Sequence, residues 1–239
     1  SFHMEAKHII GGEITYVCKG NGMYDFTMRI YRDCAGGGAS FDSDRSGAPV
    51  GHLTVFAGTR VFGIVDLNPP TITEIDPVLS NPCLIVPPNV CVEEGIYEFS
   101  LELPQDDQTY TLAYQRCCRN DFITNIRNPE STGATYMAQL NPLSRDSCNS
   151  SPVFNDFPPI VICRGEDVNF DHSATDPDGD SLVYSFCTPF VGGGLGGTRD
   201  SDPVGAAESP TGVFPNPETP PPYDPVRFVT GFSTRRPLN

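Results

Sequence analysis

Residues 14–31, ITYVCKGNGMYDFTMRIY, form the stretch that decides the fold class. Apolar or aromatic side chains alternate with polar ones on both sides of the central KGNG, as in two strands joined by a tight turn. Because successive side chains of a strand point to opposite faces, this alternation predicts a hairpin with one buried face. The stretch therefore predicts an antiparallel sheet.

The same alternation recurs through the first 145 residues. Glycine and proline are frequent, at 23 and 24 of 239 residues, and no long apolar pattern of helical period is present. About seven strands at this spacing are typical of a β-sandwich, so residues 1–145 are predicted to form one all-β, Ig-like domain. Beyond the hairpin, its strands are predicted at 53–56, 60–65, 96–103, 109–117 and 134–140.

A second unit is predicted over residues 146–239, with a long Pro- and Gly-rich loop at 188–225. Four strands are too few to close a sandwich around a core. We therefore expect two Ig-like β-sandwich domains in tandem, the second incomplete or completed by another segment or polypeptide. The strands of this second unit are predicted at 160–163, 167–170, 182–187 and 226–229.

Acidic residues outnumber basic ones by 30 to 15, which gives a net charge of −15. Such a surface repels nucleic-acid backbones and anionic membranes, so neither is expected as a partner. No apolar run in the sequence is long enough to span a bilayer, and no membrane insertion is predicted. No signal peptide is recognisable, so a secreted protein would be present here in its mature form.

Nine cysteines are scattered along the chain without a C-x-x-C pair, which favours disulfides over a structural zinc site. Disulfides form in oxidising compartments, so an extracellular or cell-surface location is predicted. Cys83 and Cys91 bracket a short Pro-rich loop and are the best predicted pair. The vicinal Cys117 and Cys118 are expected to have different partners, and the odd count leaves one thiol free or bonded outside this chain.

Asp176, Asp178 and Asp180 alternate within five residues, just before a predicted strand. Ca²⁺ takes several oxygen ligands and accepts irregular geometry, so alternating carboxylates on a turn are suited to it. Pro177 fixes one dihedral angle and Gly179 permits a positive φ, which reduces the entropy cost of ordering the turn. These aspartates are therefore candidate calcium ligands. The alternative is a solvated turn, because Asp, Pro and Gly are ordinary turn residues.

Residues 174–184, ATDPDGDSLVY, are similar to the mid-domain calcium stretch of cadherin-like and other Ig-like modules of secreted adhesins. Residues 146–154, DSCNSSPVF, resemble the cadherin linker that ends in Pro-x-Phe; Asp146 keeps the first ligand position and Asn149 replaces an aspartate. The resemblance implies one calcium ion, held by the first two aspartates of the bend with help from Asp146 or Asn149. Chelation is accordingly expected to lower the melting temperature or loosen this junction.

Three further segments resemble the N-terminal region of large Bacteroidetes surface proteins: residues 8–16 (HIIGGEITY), 30–34 (IYRDC) and 114–120 (YQRCCRN). Those proteins are similar to gliding-motility adhesins and to cargo of type IX secretion, in which a C-terminal sorting domain follows many repeats. The resemblance implies an N-terminal portion of a longer polypeptide. Its partners would be later domains of the same polypeptide or other protein subunits.

The sequence predicts a secreted, non-catalytic structural or adhesion protein of the cell surface, with a junction stiffened by calcium. Ser181 lies in a Gly-Asp-Ser-Leu sequence like that of an esterase nucleophile, but no histidine follows it to act as a base. One alternative is a self-assembling extracellular filament joined by strand exchange, with residues 1–7 as the donor strand. Another is a carbohydrate-binding accessory module for surface glycans, which needs exposed aromatics on one sheet face. These could be Tyr16, Tyr24, Tyr97, Tyr110 and Tyr114, although tyrosines on strands more often pack in the core or across strands.

Overall fold

The computed structural model describes residues 9–35, 41–42, 51–76, 90–116, 119–120, 122–129, 132–162, 167, 169–192 and 220–237. Within these ranges the chain forms ten strands and one short helix, so the protein is all-β, as predicted. The elements are β1 (Ile9–Gly20), β2 (Met23–Asp33), β3 (His52–Ala57), β4 (Arg60–Asp66), β5 (Thr71–Glu74), β6 (Val92–Glu102), β7 (Tyr110–Arg116), β8 (Ala134–Leu140), α1 (Pro142–Asp146), β9 (Val153–Phe154) and β10 (Ala174–Thr175).

Four antiparallel strands form the first sheet, in the order β1-β2-β6-β5. The predicted hairpin is confirmed, because β1 pairs with β2 and places Tyr16 opposite Phe26. Asn21 and Gly22 form its two-residue turn with φ values of 54° and 77°. A type I′ hairpin requires this left-handed conformation at both positions, and the Asn-Gly sequence favours it.

The second sheet has the order β4-β3-β7-β8, and its strands are also antiparallel. The strands predicted at 53–56, 60–65 and 134–140 are confirmed to within one residue at each end. The sequence did not predict β5 in the first sheet, because its four residues are all exposed and include a single apolar side chain, Ile72.

Side chains from both sheets form one hydrophobic core. Six of the eight sheet strands contribute buried side chains to it, and burying a large apolar side chain stabilises the fold by about 1.5–3 kcal/mol. This single core makes the two sheets one folded unit. Its most deeply buried members include Tyr24, Phe26, Met28, Ile30, Leu53, Tyr110, Leu112 and Tyr114.

A buried ion pair lies inside this unit. Arg116 on β7 places a guanidinium nitrogen 2.8 Å from Oδ1 of Asp42, and both side chains are almost fully buried. Tyr114 donates a hydrogen bond to Asp42 Oδ2, and Tyr97 on β6 donates one to the backbone oxygen of Asp42 at 2.9 Å. The Asp42 carboxylate thereby compensates the guanidinium charge away from water and links strands of both sheets.

The region after residue 146 has little regular structure in the residues described. In this region β9 and β10 form an antiparallel ladder of two residues each. The strand predicted at 182–187 is wrong: these residues form no ladder, and Val183 and Phe186 are 95% and 78% exposed. The described parts of the strands predicted at 160–163 and 167–170 form no strand either, and 226–229 contains one isolated bridge.

Parts of this later region lie directly on the two sheets. The Thr135 hydroxyl on β8 donates a hydrogen bond to the backbone oxygen of Val191 at 2.8 Å. A small second core of Ile126, Val191 and Val226 combines residues from both sides of position 146. The domain boundary predicted at residue 145 stays a prediction.

The predicted loop at 188–225 is held together at its two ends. Phe190 forms an antiparallel bridge with Pro225, and Val191 donates its N–H to the backbone oxygen of Asp224 at 2.9 Å. Residues 193–219 of this loop lie outside the described residues.

Two disulfides are present, Cys18–Cys148 and Cys34–Cys91. The predicted pairing of Cys83 with Cys91 is therefore wrong. Cys34 and Cys91 adjoin the last pair of the β2–β6 ladder, which brings them side by side across the two strands. Closeness in sequence favoured Cys83 as the partner of Cys91. The pairing of β2 with β6 places Cys34 beside Cys91 instead.

Two disulfides indicate an oxidising, extracellular type of environment. Cys187 is a free and exposed thiol. The remaining cysteines, Cys83, Cys117, Cys118 and Cys163, lie outside the described residues. The expectation that the vicinal Cys117 and Cys118 have different partners therefore stays a prediction. The part of the chain that the structure describes contains no helix of the length and hydropathy needed to cross a membrane.

Candidate functional site

The acidic bend, residues 176–180, is an ordered turn stabilised by its own first carboxylate. Asp176 Oδ1 accepts the backbone N–H groups of Asp178 and Asp180 at 2.9 and 3.2 Å. Gly179 donates its N–H to the Asp176 backbone oxygen at 3.2 Å and has a φ of 80°, which glycine adopts at little cost. The predicted role of Gly179 in the turn is confirmed.

The other two carboxylates of the acidic bend bind the segment that follows α1. Asp178 Oδ2 accepts the backbone N–H of Ser150, and Asp178 Oδ1 accepts the Ser150 hydroxyl at 3.4 Å. Asp180 Oδ2 accepts the Asn149 side-chain amide at 2.8 Å. The structure therefore brings Asn149 to the bend, as the sequence predicted, but as a hydrogen-bond donor to Asp180.

The residues that bind the bend are themselves fixed to the edge of β1. Ser151 donates its N–H to the Tyr16 backbone oxygen at 2.9 Å, and its hydroxyl oxygen accepts the Tyr16 N–H at 2.8 Å. The Ser150 hydroxyl oxygen accepts the Cys18 N–H at 3.2 Å, and the disulfide from Cys18 to Cys148 closes the same attachment covalently. Disulfide, β1 edge and acidic bend thus form one cross-linked unit, which we call the latch (residues 16–18, 148–151 and 176–180).

Negative charge in the latch acts on the buried tyrosine beside it. The pKa of Tyr16 is raised, first by burial and then by Tyr24 and the carboxylates of Asp176 and Asp178. Asp146 is exposed at the end of α1, and its charge acts instead on Tyr24, whose pKa is raised mainly by burial. Asp146 therefore faces a different neighbour from the aspartates of the bend.

The latch fits hydrogen-bond donors better than it fits a calcium cage. Ca²⁺ takes six to eight oxygen ligands. In the residues described, no three His, Cys, Asp or Glu side chains are grouped so that they could hold a metal ion. Asp178 directs both oxygens at Ser150, and Asp176 and Asp180 each direct one at an N–H donor. Calcium binding stays a prediction, and no role below depends on it.

A second candidate site, the outer-face groove, lies on the first sheet opposite the core. Its volume is about 770 Å³, and it runs between the start of β1 and the segment 153–160. Tyr31 and Phe157 meet across it edge to face, with ring centroids 4.9 Å apart. Phe170 and His172 form a similar contact at 4.6 Å in its wall. The groove thus combines aromatic walls with the polar outer face of a sheet.

Charged side chains line the floor of the outer-face groove. Arg29 Nη1 lies 2.8 Å from Glu94 Oε1, whereas Arg29 Nε lies 3.8 Å from Glu13 Oε1. The pKa of Glu13 is raised because burial outweighs the lowering effects of Arg29 and of a hydrogen bond from Tyr31, and Glu94 raises it further. The pKa of Tyr31 is raised by burial and by both carboxylates. Two carboxylates therefore share one guanidinium.

The outer-face groove was not predictable from the sequence. Glu13, Arg29 and Glu94 lie on three different strands, so only the register of β1, β2 and β6 brings them together. Polar residues alternate with core residues on β1 and β2, which indicates that one sheet face is polar. This pattern does not show whether that face forms a groove or is simply solvated.

The tyrosines predicted for a carbohydrate platform are all buried. Their exposed fractions range from 0% to 9%, so none of them supplies an exposed aromatic, and the alternative of core packing is confirmed. The alternation that suggested a platform reflects core packing, because Tyr16, Tyr24, Tyr97, Tyr110 and Tyr114 all belong to the hydrophobic core.

Comparisons of the chain with protein-family models, with curated proteins and with solved structures found no match. Functional assignment therefore depends on the geometry of the latch and of the outer-face groove.

Proposed function

We propose that this protein is an extracellular, non-catalytic structural or adhesion module of the cell surface, whose latch gives it resistance to mechanical load. The two sheets would be an Ig-like sandwich, and the chain would be a portion of a longer surface polypeptide. The resemblance of three segments to Bacteroidetes gliding-motility and type IX secretion proteins agrees with this proposal.

One observation carries the proposal: the Cys18–Cys148 disulfide lies inside a network of hydrogen bonds that joins β1 to the acidic bend. Hydrogen bonds to charged groups stabilise by about 1.5–3 kcal/mol, and by about 1 kcal/mol where the charged group is largely exposed, as Asp178 and Asp180 are. Several of them act in parallel around a covalent bond, so force applied beyond residue 148 reaches β1 directly. Such an attachment suits a protein that is held at both ends.

Single-molecule pulling from the two ends of the chain tests the proposal. With the disulfide intact, the residues between positions 18 and 148 are closed in a loop and add nothing to the extended length. Reduction should release these residues, whose sequence separation is 130, and add about 450 Å at about 3.5 Å per residue. It should also lower the force at which residues 176–180 detach from residues 148–151. Equal extension and equal detachment force in both redox states would reject a load-bearing role.

A filament joined by strand exchange is the second candidate, and one observation favours it. Residues 182–187 are rich in strand-forming apolar and aromatic residues, yet in the described residues they form no ladder, and Val183 and Phe186 face solvent. A strand from another polypeptide could pair there. The net charge of −15 opposes association of identical chains, which places this candidate second. Size-exclusion chromatography separates the two, because strand exchange requires oligomers that persist on dilution.

A further inference from the structure

The edge of β1 that faces away from β2 opens into the outer-face groove at residues 10–13. β1 is the outer strand of its sheet, and its edge away from β2 is bonded to Ser150 and Ser151 at Cys18 and Tyr16. In an antiparallel ladder, alternate residues direct both backbone groups to the same edge. Gly12 and Ile14 therefore direct their N–H and C=O groups to the edge that carries those of Tyr16. Among the described residues, no hydrogen bond to this edge is found at Gly12 or Ile14.

The groove leaves room for an added strand at this edge. Gly11 and Gly12 line it without side chains, and the opposite wall is formed by apolar residues of the segment 153–160, including Phe154 and Phe157. An extended segment placed here could pair with the backbone of β1 and direct alternate side chains toward that wall and toward the charged floor.

The floor selects the charge of the added segment. Glu94 has the close contact with Arg29, at 2.8 Å, while Glu13 is 3.8 Å from the same guanidinium. Arg29 is the one lysine or arginine among the described residues that line the groove, so both carboxylates of the floor depend on it. A lysine or arginine side chain would therefore complete the charge balance at Glu13.

We propose that the outer-face groove binds an extended, basic segment of another protein by strand addition to β1, with one lysine or arginine side chain placed against Glu13. A second copy of this chain is the poorer occupant, because its net charge of −15 opposes close approach. The inference goes beyond the proposed function: it concerns a surface separate from the latch, and it can fail while the load-bearing proposal stands.

Titration of the isotopically labelled protein, followed by amide chemical shifts, tests the proposal. The probe is the peptide acetyl-Thr-Val-Lys-Val-Thr-amide, and the matched control replaces its lysine with glutamate. We expect the lysine peptide to shift the amides of Gly11, Gly12 and Ile14 and to slow hydrogen exchange at Gly12 and Ile14. The glutamate peptide should bind at least tenfold more weakly. No shift at millimolar lysine peptide, or equal binding of both peptides, would overturn the proposal.

Three variants locate the binding. Glu13→Gln should weaken binding of the lysine peptide about fivefold, the effect of a partly exposed charge pair. It should change binding of the glutamate peptide by less than that factor. Ile10→Lys places a positive charge at the exposed mouth of the groove and should weaken binding of the lysine peptide further. Glu98→Gln removes the same charge from an exposed position of β6 outside the groove and should have no effect.

Equal losses in Glu13→Gln and Glu98→Gln would assign the effect to net charge alone and reject the site. Shifts of the same amides on concentrating the protein without peptide would identify a second copy as the occupant, which also rejects the proposal. Melting curves of each variant establish that the fold is retained.

Discussion

The strand β2 and the segment 182–187 are both predicted as strands from the sequence, but they differ in their surroundings. β2 lies between β1 and β6, and its Phe26 and Met28 are buried in the core shared by both sheets. Residues 182–187 have no ladder neighbour in the described part of the chain, and their apolar side chains are exposed. Ordering a backbone costs about 1–2 kcal/mol per residue, so a segment rich in strand-forming residues becomes a strand only where neighbouring strands and a core offset that cost.

The comparison also separates two means of stabilisation. The region up to residue 140 is stabilised by a hydrophobic core and two sheets. The region after residue 146 is attached to it by a disulfide, hydrogen bonds and the small core around Val191. Substitutions in the first region should therefore unfold the whole protein, and substitutions at the acidic bend should release part of it.

The largest expected effect comes from removing the covalent link between the regions. Cys18→Ala together with Cys148→Ala should lower the free energy of unfolding by as much as about 5 kcal/mol, the chain-entropy value for a loop of this length. Urea denaturation measures it. The Cys34–Cys91 disulfide closes a shorter loop, so replacing both of its cysteines with alanine should lower the free energy of unfolding by about 4 kcal/mol. Beyond that difference, the first pair should increase hydrogen exchange at Ser150 and Ser151; unchanged exchange there would contradict the latch.

The buried ion pair should give the next largest effect. Asp42→Asn leaves the Arg116 guanidinium without its buried counter-charge and should cost about 3–5 kcal/mol, measured by urea denaturation. Asp66→Asn makes the same change at an exposed position of β4 and should stay within about 0.5 kcal/mol of the parent protein. A loss in Asp42→Asn no larger than in this control would show that the core does not depend on the pair.

A smaller and local effect is expected at the acidic bend. Asp178→Ala removes the acceptor for the Ser150 N–H and hydroxyl and should cost about 1 kcal/mol, because the site is largely exposed. Hydrogen exchange should increase at Ser150 and remain unchanged in the two sheets. Asp167→Ala, an exposed aspartate outside the latch, is the matched control.

The calcium prediction is tested on the same pair of proteins. If Asp178 is a ligand, EDTA should lower the melting temperature of the parent protein and of Asp167→Ala, and calcium should restore it, while Asp178→Ala should not respond. A latch held by hydrogen bonds alone gives identical melting curves with calcium and with EDTA.

The smallest effect concerns Glu13, and its sign follows from the raised pKa. A carboxyl whose pKa is higher in the folded than in the unfolded state binds its proton more tightly when folded, so folding loses stability as the pH rises through these two values. Glu13→Gln should therefore melt about 1–2 °C above the parent protein at pH 7. The difference should vanish at pH values below the pKa of about 4.5 that Glu13 has in the unfolded chain. A lower melting temperature at pH 7 would mean that Glu13 is fully paired with Arg29.

Residues 14–31 show what the sequence could predict. Alternation, the Asn-Gly turn and the mean spacing of strands specified the hairpin and most strands of both sheets, because these signals are local. The position of Gly179 in the acidic bend was predicted for the same reason.

What could not be predicted depends on contacts between distant residues. Cys91 pairs with Cys34 because β6 pairs with β2, and the groove floor requires the register of three strands. The carboxylates of Asp178 and Asp180 suggested a metal ion because the donors that they contact, Ser150 and Asn149, are not recognisable as donors from sequence. Charge spacing identified the bend, whereas Asn149 was assigned to it through the cadherin-linker resemblance, and then as a calcium ligand.

The two disulfides are nested, since the pair 34–91 lies wholly within the pair 18–148. A chain exported with its N-terminus first exposes Cys18 and Cys34 to oxidation before either correct partner has emerged. The earliest bond available to these two thiols is with each other, and it is the wrong one. A Cys18–Cys34 bond formed at that stage would have to be broken by thiol–disulfide exchange before the two native bonds could form.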